Sequence, residues 1–199
     1  MRTVAFLHQK GGTGKTTLAI ATAMALAEQG ARVLLLDADV QGTASEWASH
    51  WGEQFRVVAR SQIQPIVHEQ ASRFAPSFEW MVVDGPPMLS DMTTSILRAA
   101  DQVFVPVRPS YPDIWALEGV AALRATLGDE GINPVMRVLW NQVVEWPTSA
   151  MRAAVESKGF RISPAVIGWE AIWSNVMEGQ PLTTWAIDCL MRMVKEPWE

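Results

Sequence analysis

Apolar runs of strand length recur along the chain, at Thr3–Leu7, Arg32–Asp37, Phe55–Ala59, Trp80–Asp84, Gln102–Val107 and Val135–Asn141, with a shorter one at Ser163–Ile167. Between them lie stretches with helical spacing: Thr16–Glu28, Thr43–His50, Ile63–Phe74, Ser90–Ala99, Pro112–Thr126, Pro147–Ser157 and a last one from Leu182. Strands alternating with helices predict an α/β fold, a doubly wound and mostly parallel sheet flanked by helices. The runs are nearly continuous Val, Leu and Ile, as strands buried on both faces require. Right-handed crossovers then bring the C-terminal ends of the strands, and any ligand, to one edge of the sheet.

The first strand runs directly into His8-Gln9-Lys10-Gly11-Gly12-Thr13-Gly14-Lys15-Thr16-Thr17. Small residues let consecutive backbone N–H groups curl around a phosphate, and the helix opening at Lys15 adds its positive end. Lys15 is placed to reach β- and γ-phosphates and the Thr16 hydroxyl to ligate Mg²⁺, with Thr17 near the α-phosphate. The usual G-x-x-x-x-G-K-[ST] spacing puts a glycine at position 9, where this chain has Gln9, and a second lysine, Lys10, stands inside the loop. A cation beside Lys15 is unfavourable unless it meets a polyphosphate. Two strands end in carboxylates, Asp37-Ala38-Asp39-Val40-Gln41 and Asp84-Gly85-Pro86-Pro87. Next to a phosphate loop, such groups suit Mg²⁺ coordination and the orientation of water.

The pattern Lys10-Gly11-Gly12-Thr13-Gly14-Lys15-Thr16-Thr17 resembles the deviant Walker A motif of the ParA/MinD family of P-loop ATPases, and the likeness extends along essentially the whole chain. It implies that ATP and Mg²⁺ are the cofactors, that the loop residues Gly11 to Thr17 hold phosphate, and that Lys10 acts across an ATP-bound homodimer. Asp39 would position the attacking water, so that Lys10, Lys15 and Asp39 form the catalytic set. Thr16, Asp37 and Asp84 would serve the metal. Val40 replaces the proline usual in this switch I. Val105-Pro106-Val107-Arg108-Pro109-Ser110 is similar to the family's Pro-x-x-Pro segment beside the nucleotide, which brings in Pro109, and Asn141 matches an asparagine that reads adenine. After Ile167 the family's proline and basic residue are replaced by Gly168 and Trp169.

Length and composition set further bounds. A chain of 199 residues suits one domain, here 1–199. No apolar run is long enough to span a bilayer, and no leader is expected before the first strand. The one cysteine, Cys189, forms no internal disulfide and suits a reducing compartment. The expectation is a cytoplasmic, nucleoid-associated protein with no room for an N-terminal helix-turn-helix domain. Most of the ten tryptophans are expected in the core or at its rim; those of the C-terminal third also suit an interface.

Three functions fit this frame. The first is a positioning ATPase that binds non-specific DNA as an ATP dimer and is stimulated by a ParB-like or cargo-adaptor partner. The net charge of −5 does not favour DNA, so a local patch is needed; Arg152, Lys158, Arg161, Arg192 and Lys195 are the best group, with Arg124 and Arg137 in addition. The second is a MinD-like ATPase on membranes, which needs a basic amphipathic end; in Trp185 to Glu199 the acids Asp188, Glu196 and Glu199 offset Arg192 and Lys195, and no membrane partner is expected. The third is carboxylate activation, as in cobyrinic acid amidation or dethiobiotin synthesis. It requires substrate-binding residues or a glutaminase domain for which the chain has no evident length. Single-cysteine composition argues against iron–sulfur chemistry, and the lone Tyr111 against an autophosphorylating tyrosine kinase.

Overall fold

The computed structural model describes residues 1–195; Trp198, Glu196 and Glu199 of the proposed terminal helix lie outside the described residues. The strands are β1 (Arg2–Phe6), β2 (Val33–Asp37), β3 (Val57–Ser61), β4 (Trp80–Asp84), β5 (Gln102–Val107), β6 (Val135–Val143) and β7 (Arg161–Gly168). They pair in the order β3-β2-β4-β1-β5-β6-β7, every described pair parallel. The doubly wound α/β architecture expected from the alternation is therefore present.

The helices are α1 (Lys15–Glu28), α2 (Thr43–Trp51), α3 (Val67–Phe74), α4 (Asp91–Ala99), α5 (Tyr111–Trp115), α6 (Leu117–Asp129), α7 (Ser149–Glu156), α8 (Ala171–Met177) and α9 (Thr184–Lys195). Alternate strand residues feed two cores. Phe6, Leu35, Val82 and Phe104 pack with α1, α2, α8 and α9. Leu7, Leu34, Val83 and Val105 pack with α3 to α7. The period-2 geometry of a strand sends neighbours to opposite layers, which is why the runs had to be apolar throughout. In α1, positions Leu18 to Ala27 are buried without interruption; the helix is shielded on several sides, and its alanines allow that close approach.

Three helix expectations change. The stretch from Pro112 to Thr126 divides at Ala116 into α5 and α6, because α5 starts on its own cap, with Ser110 Oγ accepting from Asp113 N. The stretch from Ile63 becomes helical only at Val67, two residues after Pro65, which disfavours helical geometry in the residue before it. α8 was not expected; its seven residues are too short for helical spacing to stand out.

The tryptophan expectation divides. Trp47, Trp80, Trp140 and Trp173 are buried and Trp51 half-buried, whereas Trp115, Trp146, Trp169 and Trp185 are exposed.

Candidate nucleotide-binding site

Parallel strands put all their C-terminal ends on one edge, and the loops there build the site. The loop from β1 to α1 forms a cradle. Gly12 and Gly14 take left-handed backbone angles, φ 72° and 88°, which side-chain-bearing residues rarely adopt. Gly14 also lies so close to β6 that an added Cβ would stand 2.4 Å from Asn141 Nδ2. The tip is strapped to β6 by Asn141 Nδ2 donating to Thr13 O at 2.7 Å and Gln142 Nε2 to Gly12 O at 3.1 Å. Asn141 thus spends one amide proton on the loop, which leaves its second N–H and its Oδ1 for a base. A cavity of about 320 Å³ opens over Gly11, Lys15, Thr16 and Asp39.

Lys15 is 7% exposed and its ammonium folds back to Lys10 O at 3.5 Å. Burial lowers its pKa, against the opposing pull of Asp84 and Asp39. Asp84 ends β4 in register with Asp37 at the end of β2. It is 1% exposed, and neither carboxylate oxygen makes a well-formed hydrogen bond, although the Thr16 hydroxyl stands near enough to favour the charged form. Burial raises its pKa to about 7, with Asp37 and Asp39 adding to the effect and the Thr16 hydroxyl and Lys15 partly offsetting it. Such an orphaned buried carboxylate is unfavourable by itself, and it fits a hard divalent cation, or a water bound to one, beside Thr16. The residues therefore suit Mg²⁺ on a nucleotide held in the cradle.

Asp37 behaves differently. Its Oδ1 accepts from Asp39 N at 3.2 Å and its Oδ2 from Ser45 N at 2.7 Å. It anchors the turn into α2, and its charge adds to the raised pKa of Asp84. Asp39, half-buried, accepts from Gln41 N at 3.0 Å and faces the cradle.

Lys10 does not point freely outward. Its Nζ lies 2.5 Å from Asp113 Oδ2, and Asp113 is 1% exposed. Arg108 and Ser110 bind the same carboxylate. Burial alone would raise the Asp113 carboxyl, but hydrogen bonds from Arg108, Lys10 and Ser110 outweigh it and hold it below the usual range. Sequence reasoning missed Asp113; its signal was the Ser110-x-x-Asp113 start of a helix straight after a strand. Next to this group His8 is buried, its Nδ1 accepting from Lys10 N at 2.9 Å; burial, then Lys15, lowers its pKa to about 4.

Beside Gly14 and Asn141 a second cavity, about 360 Å³, is bounded by Gly168, Trp169, Glu170 and Trp173. The Trp169 indole, 68% exposed, forms one of its walls. Pro109 is half-buried on the turn before α5 and is not among the residues bounding either cavity.

The basic residues divide between the two faces of the sheet. Arg152 lies on α7 and Lys158 follows it, on the side that α7 covers; Arg161 opens β7 in register with Arg137, and because its neighbour Ile162 packs toward α7, it takes the other face, which α9 with Arg192 and Lys195 covers. Lys158 pairs with Glu118. Arg124 donates to Gly159 O and stacks on Phe160, and Arg137 is 6% exposed.

Comparison with known proteins shows the family and the fold. Residues 4–182 match the family described as the CobQ/CobB/MinD/ParA nucleotide binding domain. The chromosome-partitioning ATPase Soj of Thermus thermophilus is 35% identical over 170 residues, covering 70% of this chain and 67% of that protein. The maintenance of carboxysome distribution protein A of Halothiobacillus neapolitanus is 30% identical over 192 residues, covering 89% and 84%. Among solved structures, a Cyanothece McdA–ATP complex superposes with TM-score 0.74 at 17% identity over 98% of this chain and 96% of that one. MinD of Pyrococcus horikoshii with Mg-ADP gives 0.70 at 17%, over 98% and 96%. Structural likeness at such low identity establishes the fold alone.

Proposed function

Since the chain belongs to the CobQ/CobB/MinD/ParA nucleotide-binding family, whose ParA and MinD members are ATPases acting in partitioning or positioning, we propose that it is an ATP-dependent dimerising switch that binds non-specific DNA and positions a plasmid or protein cargo. The observation that carries the reading is the gathering of Lys15, Thr16 and Asp39 around one glycine-built cradle at the strand C-termini, with the buried Asp84 charge coupled to Lys15 beside it.

In this reading the cradle's N–H groups and Lys15 bind the phosphates, while Thr16 and Asp84 hold Mg²⁺, which neutralises developing phosphate charge when bound. Asp39 orients the attacking water. Dimerisation is supported by the apolar residues on the same edge: Val40, Met88, Tyr111, Trp115, Trp146 and Trp169 are all exposed, and each lies in a segment following a strand C-terminus. An apolar ring around a binding site favours a covering surface. A lipid-binding terminal helix has less support, since α9 turns Ala186, Leu190, Met193 and Val194 into the core. No helix among the described residues is long and apolar enough to cross a membrane.

The test is binding to a non-specific DNA duplex with ATP, with ADP and without nucleotide, at low and moderate salt. Binding only with ATP, weakening with salt, is expected. ATPase activity without DNA binding in any state would overturn the DNA part of the proposal and leave the nucleotide site standing.

A further inference from the structure

Two cations share one buried carboxylate beside the phosphate cradle. Asp113 Oδ2 receives Lys10 Nζ at 2.5 Å, Ser110 Oγ at 2.5 Å and Arg108 Nη2 at 3.3 Å, while Oδ1 receives Arg108 Nε at 3.0 Å. The same region of the loop is tied once more to the junction of α5 and α6, where α6 also approaches it closely. Gln9 Nε2 donates to Ala116 O at 2.7 Å, and a side chain at Gly119 would meet Gln9 Oε1 at 2.7 Å.

A lysine seated on this carboxylate is not at the same moment on a phosphate across an interface. If Lys10 left and nothing else neutralised Asp113, a buried anion would be stranded, which is strongly unfavourable. Arg108 removes that obstacle. Its two-point contact, with the Ser110 hydroxyl, remains when Lys10 departs, because a guanidinium matches a carboxylate fork in a way an ammonium does not.

We propose that Asp113 is a positioning residue that seats Lys10 within its own chain in the absence of nucleotide, and that Arg108 is the competing counter-ion that lets Lys10 exchange from Asp113 to phosphate. The proposal rests on the reading that Lys10 acts across an ATP-bound dimer. It assigns opposite effects to the two partners of Lys10. Removing the charge at Asp113 releases Lys10, and removing Arg108 leaves Lys10 as the sole cation on Asp113 and seats it more firmly.

The experiment compares wild type, Asp113→Asn and Arg108→Met by light-scattering molar mass across an ATP titration. Half-maximal dimer is expected at lower ATP in Asp113→Asn and at higher ATP in Arg108→Met, each by about fivefold. A packing defect would move both the same way. A second readout needs no nucleotide: the rate of Lys10 acylation by an N-hydroxysuccinimide ester, followed by peptide mass spectrometry with the exposed Lys195 as reference. It is expected to rise in Asp113→Asn and fall in Arg108→Met. Should the wild type stay monomeric with ATP, the dimer reading fails and the acylation rates alone decide whether Asp113 seats Lys10. A wild type that dimerises, with variants unchanged or shifted in one direction, overturns the positioning role. So does an Asp113→Asn chain that binds ATP yet no longer dimerises, since Asp113 would then be presenting Lys10 rather than retaining it.

Discussion

The side-chain amide of Asn141 donates to the carbonyl oxygen of Thr13 at 2.7 Å, joining the end of β6 to the tip of the phosphate loop across 128 residues of chain. The loop's shape is thereby set by a strand two positions away in the sheet. Gly14→Ala should abolish nucleotide binding, because the new Cβ meets Asn141 Nδ2 and φ 88° is strained for alanine, by roughly 1–2 kcal/mol for the backbone alone. Adding Asn141→Ala relieves the contact but not the backbone strain, so the double variant should recover binding only in part. Titration calorimetry with ADP reads both; full recovery would show that φ at position 14 is of no consequence.

Lys15 and Asp39 should separate binding from turnover. Lys15→Ala removes the buried ammonium that faces the cradle and should weaken ATP and ADP binding by at least about 100-fold, the scale of a lost charged contact. Asp39→Ala leaves the cradle intact and should bind ATP normally while accumulating an ATP-bound dimer that does not hydrolyse. A normal hydrolysis rate in Asp39→Ala would remove it from the catalytic set.

Much of this site was legible before any coordinates. The loop from Lys10 to Thr17, with Asp37 and Asp84 closing apolar strands, lay in contiguous residues whose spacing carries the chemistry. What was hidden depended on long-range packing. Whether Asp37 faces metal or backbone turns on Ser45 N, eight residues ahead. The partner of Lys10 lies 103 residues away, on a helix too short to show periodicity. How the basic residues divide between the two faces was hidden as well, because the sequence does not say which face of the sheet each covering helix takes.

Trp169 should contribute to affinity without affecting hydrolysis. It stands 68% exposed on the cavity that also meets Gly14 and Asn141, as a stacking wall would. Stacking of a base on an aromatic ring is worth about 1–3 kcal/mol, so Trp169→Ala should weaken ATP and ADP alike by roughly tenfold or more, and bound turnover should stay unchanged. Nucleotide-induced quenching of tryptophan emission should shrink in the variant. Unaltered affinity would place the base elsewhere.

The pH dependence of the nucleotide-free chain should come from two buried groups pulling in opposite directions. Asp84 has its pKa raised from 3.8 to about 7, so the folded chain keeps a proton that the unfolded chain releases. Its stabilisation is full below about pH 4 and is lost as pH rises to about 7. His8 has its pKa lowered from 6.5 to about 4, so the unfolded chain takes up a proton that the folded chain refuses. Its stabilisation is full above pH 6.5 and is lost as pH falls to about 4. The shifts correspond to roughly 4 kcal/mol for Asp84 and roughly 3 kcal/mol for His8 over their windows, and between pH 4 and 6.5 they largely cancel. Asp84→Asn should expose the His8 slope, with the melting temperature climbing relative to wild type from pH 4.5 to 6.5. His8→Asn should expose the Asp84 slope, with the melting temperature falling relative to wild type from pH 4.5 to 7. The wild type should gain Mg²⁺-dependent ATP affinity as pH rises through about 7, since only the charged carboxylate attracts the metal, and Asp84→Asn should lose that gain. Scanning calorimetry without nucleotide checks the first two expectations, and parallel profiles in all three chains would refute the assignment of opposed protons to Asp84 and His8.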